Sequence, residues 1–94
     1  RSYSVTGVQT VLFRSQFSSH IVKINPHCIL DEHIHEGKTE LHEIINGGAL
    51  CYIGDKKFQY KPGDCAIIPQ DTVHKVIAFD DGLMLLAKFF PALL

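Results

Sequence analysis

Tryptophan is absent from the 94 residues, methionine occurs once, and charged residues make up only 20% of the chain. Nine Lys and Arg face ten Asp and Glu for a net charge of −1, and the longest basic run is Lys56–Lys57. That balance leaves no electrostatic case for binding nucleic acid or an anionic membrane surface. A membrane helix needs about 20 consecutive apolar residues. The longest candidate, LMLLA at 83–87, is a buried strand at most. The opening RSYSVTGVQT lacks the basic-then-apolar order of a signal peptide. Cys28, Cys51 and Cys65 form an odd set without C-x-x-C spacing. They read as reduced thiols of a cytoplasmic protein rather than as a disulfide scaffold, and each sits in an apolar or strand-like segment where Cys packs.

Helical periodicity is also missing, so a helix is expected only as a short N-terminal piece. What the chain does have is punctuation. NP at 25–26, EGK at 36–38, NGG at 46–48, GDK at 54–56, KPGD at 61–64, PQD at 69–71 and DDG at 80–82 separate short runs rich in Ile, Val, Leu, Phe, Tyr and Cys. The spacing predicts strands near 19–24, 28–35, 40–46, 49–54, 57–60, 65–68, 73–79 and 83–90, the pattern of a β-sandwich or barrel. CYIGDKKFQY reads as a hairpin turning around Asp55–Lys56, and KPGD as a type II turn with Gly63 at the corner that needs positive φ. An apolar fraction of 46% suits one globular domain over residues 1–94, all-β, with a modest core.

Against this background DEHIHEGKTELHEIINGG, residues 31–48, stands out for its histidines and acidic residues. His33 and His35 are two apart, the strand period, so one side of a sheet carries both. The EGKT turn brings Glu40 back to lie opposite them, and His74 follows a proline turn on a later strand. Three imidazoles and one carboxylate converging inside a barrel suit a divalent transition metal. On an octahedral ion they would leave two positions for water, oxygen or a chelating substrate.

The arrangement resembles the cupin superfamily. That family's first motif, G-x5-H-x-H-x4-E-x6-G, is met by HCILDEHIHEGKTELHEIING with His33, His35, Glu40 and Gly47 in register. The second, G-x5-P-x-G-x2-H-x3-N, is met by GDCAIIPQDTVHKVIA with Gly63, Pro69 and His74 in register. His27 and Asp71 stand where the motifs have Gly, and Ala78 where the second ends in Asn. The resemblance implies a double-sheet jelly-roll barrel, with a metal-binding core over about 28–79. It also implies His33, His35, Glu40 and His74 as ligands to one divalent metal: Fe, Mn, Ni, Zn or Cu.

His42 lies two residues beyond Glu40 and is expected on the same inward face, as either a proton-transfer group or a cavity-lining polar group. Glu43 is expected to face outward, His20 and His27 to be exposed, and Tyr52 or Tyr60 to offer a phenol to the cavity. The expected function is that of a small metalloenzyme acting on an oxygen-rich, chelating metabolite, by isomerase or lyase chemistry or as an Fe-dependent dioxygenase. The alternative is a non-catalytic small-molecule or metal sensor. No nucleic acid or membrane partner is expected. A homodimer is, with the apolar VQTVLF (8–13) packed on the partner's sheet.

Overall fold

The structure, a computed structural model, describes residues 9–13, 16–34 and 36–92; for 9–13, 31 and 33 it describes the backbone alone. Seven strands run in chain order: β1 (Gln9–Phe13), β2 (Phe17–Ile24), β3 (Ile29–His33), β4 (Thr39–Ile53), β5 (Lys56–Tyr60), β6 (Cys65–Ile68) and β7 (His74–Phe90). Among the described residues there is no helix, and so none long and apolar enough to cross a membrane. Of the N-terminal segment where a short helix is expected, residues 1–8 lie outside the described residues and 9–13 is strand.

All pairings are antiparallel, and the two long strands organise them. The first half of β4 pairs with β6 and with the second half of β7, which in turn pairs with β2 and, through it, β1. The second half of β4 pairs with β5 and with the first half of β7, which pairs with β3. Two sheets therefore share their two central strands, each bent at mid-length. The product is the double-sheet barrel expected from the sequence.

Two of the expected turns are bends instead. NGG at 46–48 and DDG at 80–82 do not reverse the chain; each lies inside one continuous strand. Register shifts between Ile44 and Asn46 and between Gly47 and Ala49 mark the corner of β4. Gly47 (φ 82°) and Gly82 (φ 71°) supply the left-handed residues, with Gly47 opposite Leu83 in register. Glycine serves a bulge and a turn through the same freedom, so only the pairing distinguishes them. The hairpin differs slightly and the KPGD turn does not. The β4–β5 hairpin turns at Gly54–Asp55, with Ile53 paired to Lys56. The KPGD turn forms as expected, with Gly63 at φ 90° and Asp64 N donating to Lys61 O at 3.0 Å.

Alternation along the central strands fills the space between the sheets. Ile44, Leu83, Leu85 and Ile24 come from one sheet and Ala49, Cys51, Val76 and Ala78 from the other. Toward the other end of the inner face the buried residues turn polar: Ser18, His20, Glu40, His42 and His74.

Candidate metal centre

Alternate residues of β4 look into the barrel, which buries Glu40 (4% exposed) and His42 (1%) and leaves Glu43 half-buried on the outside, paired with Lys88 at 2.6 Å. His74 opens β7 from the second sheet and is equally buried at 1%. Its position follows from PQDT, which turns the chain before β7 begins. The Glu40 carboxylate lies between the two rings: Oε2 is 2.7 Å from His42 Nε2, and Oε1 is 3.1 Å from His74 Nε2. The potential ligand atoms of Glu40, His42 and His74 all lie within 4.8 Å of one another.

Hydrogen bonding at the outer nitrogens decides what the inner ones offer. His74 Nδ1 is 3.2 Å from the carbonyl oxygen of Thr72, which can only accept. A proton therefore sits on Nδ1, and Nε2 is the ring nitrogen that faces Glu40 Oε1 at 3.1 Å. Either a proton or a metal cation between this nitrogen and the carboxylate satisfies both groups in the buried space. His42 Nδ1 is 2.8 Å from the Tyr60 hydroxyl. Two imidazoles, each braced at its outer nitrogen, together with a carboxylate are a set that suits Zn, Fe, Mn, Ni or Cu.

The electrostatics agree. Burial alone would raise the Glu40 pKa, but hydrogen bonds from His42 and His74, with their charge, outweigh it and hold the carboxyl far below the usual carboxylate range. Tyr60 is pushed well above the ordinary phenol value, chiefly by burial, and so stays a hydroxyl. Burial also raises the Cys51 thiol to about 11.

All three cysteines are free thiols. Cys28 and Cys51 pack inside as expected, whereas Cys65 is exposed, because β6 turns it outward opposite Glu43. A thiol reagent such as DTNB is therefore expected to titrate one cysteine rapidly in the native protein and the other two only after denaturation. Rapid labelling of all three would contradict the buried positions of Cys28 and Cys51.

His20 departs from expectation: it is 4% exposed, not on the surface. It pairs with Ala87, which pairs with His42, and Ser18 likewise pairs with Phe89, opposite Glu40. Directly paired residues share a face, so Ser18 and His20 lie on the same inner wall as the cluster. Ser18 Oγ and His20 Nε2 are 2.9 Å apart. Burial is the main reason the His20 pKa is lowered, partly opposed by the charge of Glu40. The signal was present in FSSHIVKI, where His20 shares its parity with Val22 and Ile24. Tyr60 carried no such signal, since its register with β4 is set only by the folded hairpin.

Of the other expected ligands, β3 brings the backbone of His33 into register with His74. The His33 side chain and the whole of His35 lie outside the described residues. Two departures from the motifs have a clear geometry. Among the described residues, His27 and Asp71 are the non-glycine residues with positive φ, 60° and 59°, so each adopts the left-handed conformation that Gly would take. Asp71 also accepts a hydrogen bond from Gly37 N at 3.0 Å, tying the loop after β3 to the turn before β7. His27 is exposed, as expected, and pairs with Asp80 at 2.9 Å.

Two antiparallel sheets sharing bent central strands around a buried His/Glu cluster define a jelly-roll barrel with a candidate metal centre. The chain belongs to the cupin family: the family model described as "Cupin domain" matches residues 20–87. Among solved structures, KdgF from Halomonas sp. superposes with a TM-score of 0.84 at 20% identity, covering 89% of this chain and 76% of that one. The plu4264 protein from Photorhabdus luminescens gives 0.79 at 23% identity, with 87% and 72% covered. The TT1209 protein from Thermus thermophilus gives 0.81 at 18% identity, with 98% and 90% covered. At these identities the likeness concerns the fold. No curated protein matches the chain.

Proposed function

We propose that this cupin binds one divalent transition metal and acts on a small oxygen-rich metabolite as an isomerase, a lyase or an Fe-dependent dioxygenase. The observation that carries the reading is the buried Glu40 carboxylate between two imidazole nitrogens from opposite sheets. In this reading Glu40, His42 and His74 hold the ion, joined by His33 and His35 through the motif. Such an ion supplies Lewis-acid polarisation of a ligand oxygen. Ser18 and His20, on the same inner wall, offer a hydroxyl and an imidazole to the remaining oxygens of the ligand.

One observation favours a second, non-catalytic reading as a small-molecule or metal sensor. Both ring nitrogens of His42 are engaged, one with Tyr60 and one with Glu40. That leaves it poorly placed to carry a proton to and from a substrate. Turnover that disappears with chelator and returns with one particular metal would decide for the enzyme. The homodimer expected from the sequence has support in exposed apolar side chains such as Ile67 (65% exposed) and Phe58 on β6 and β5.

Elemental analysis of protein purified without a His-tag or nickel column tests the metal. One equivalent of a divalent transition metal is expected in the wild type. His74→Ala should lower occupancy sharply while leaving the β fold intact, and the double substitution of His33 and His35 by Ala should abolish it. Full stoichiometric metal in the double variant would show that the motif histidines are not ligands.

A further inference from the structure

Tyr60 is the last residue of β5, buried in the sheet opposite the one that carries His42, yet its hydroxyl reaches across the barrel to His42 Nδ1 at 2.8 Å. Cys51, fully buried on the neighbouring strand, lies near enough to act electrostatically on the Tyr60 phenol. A continuous buried chain thus runs from Tyr60 through His42 to Glu40 and His74.

We infer that Tyr60 is a positioning residue that fixes the ring orientation and tautomer of His42, so that Nε2 serves as a metal ligand. The inference rests on the metal reading above and names the device that makes His42 a ligand.

The donor and acceptor inventory supports it. While Nε2–H donates to Glu40, Nδ1 carries a lone pair and accepts from the Tyr60 O–H. Ligation through Nε2 puts the ring proton on Nδ1, which then donates to the Tyr60 oxygen, and the phenol rotates its own proton away from the ring. A hydroxyl can take either part because it both donates and accepts. A carbonyl, which only accepts, would hold Nδ1 protonated in every state, as Thr72 does for His74. The two imidazoles are therefore braced differently, and the one held by Tyr60 can exchange Glu40 for an ion without losing its outer hydrogen bond. Partners of this kind usually contribute about 10- to 100-fold to metal affinity.

The test is a double-mutant cycle on zinc affinity, measured by competition with a chromophoric chelator. Tyr60→Phe keeps the ring and removes only the hydroxyl. It is expected to weaken zinc binding by about 10- to 100-fold when His42 is present and to cause no further loss in a His42→Gln background. A merely structural tyrosine would lower the melting temperature of the metal-free protein without changing zinc affinity. Affinity equal to wild type, or the same loss in both backgrounds, would overturn the inference. Should Tyr60→Phe not fold, zinc titration of the folded Tyr52→Phe protein, which removes one background phenol, serves instead. Reversal of the Tyr60 hydrogen bond should produce a tyrosine near-UV difference signal, and a flat spectrum at full occupancy would overturn the inference. If wild-type protein takes up no zinc at all, the metal reading itself fails and this inference falls with it.

Discussion

Glu40→Gln is expected to empty the metal site while leaving the barrel folded. The carboxylate is the one negative charge in the described cluster, and two imidazoles approach it from opposite sheets. Glutamine keeps the size and one oxygen, but it is neutral and turns an NH2 donor toward a ring nitrogen. A cation held by neutral donors alone would lose the charge that offsets its desolvation in this buried position. The loss in affinity should therefore exceed the roughly 10- to 100-fold typical of outer-sphere partners. Stoichiometry by elemental analysis and affinity by chelator competition provide the measurement, and the metal-free melting curve controls for folding. Retention of wild-type affinity by Glu40→Gln would remove Glu40 from the ligand set.

Gly47→Ala should be the most destabilising glycine-to-alanine substitution among the described residues. At φ 82° an L-residue costs about 1–2 kcal/mol through its own Cβ. There is also no room: a Cβ at Gly47 would collide with the carbonyl of Gly82, meeting its carbon at 2.8 Å. Both groups are backbone, so no rotamer change relieves the clash, and the two bent strands must move apart where they cross. A total of about 4 kcal/mol or more is expected, at the exceptional end for a point substitution. Against a domain stability of about 5–15 kcal/mol, that is enough to unfold much of the population on mild heating. Gly63→Ala is the control. Gly63 also has positive φ, at 90°, but nothing lies within 4 Å of its would-be Cβ, so only the conformational cost of about 1–2 kcal/mol applies. Urea denaturation of the two variants gives the comparison. Equal losses would show that the strands can separate at the bend without cost.

The all-β class was legible from evenly spaced turn residues, and the inward direction of Glu40 and His42 from their spacing by two. Period and spacing are local properties, carried by the pleat of each strand wherever the strand goes. Glycine at 47 and 82 marked irregular backbone but left its purpose open, because the same φ serves a turn that ends a strand and a bulge that bends it. Only the pairing of β4 with β7 along both halves shows that each is one strand passing through two sheets. For the same reason the sequence brought Glu40 and His42 together but left Tyr52 and Tyr60 as alternatives, and the register of the β4–β5 hairpin brings Tyr60 to His42 from the opposite sheet. The parity of His20 with Val22 and Ile24 signalled an inward side chain, but only the pairing of β2 with the far half of β7 sets it on the wall beside the cluster. Residue chemistry and local period thus determined which groups could bind a metal. Long-range strand pairing decided which of them share one buried space and which hydrogen-bond partners stand behind them, because a partner from another sheet leaves no trace in the spacing of the residues it braces.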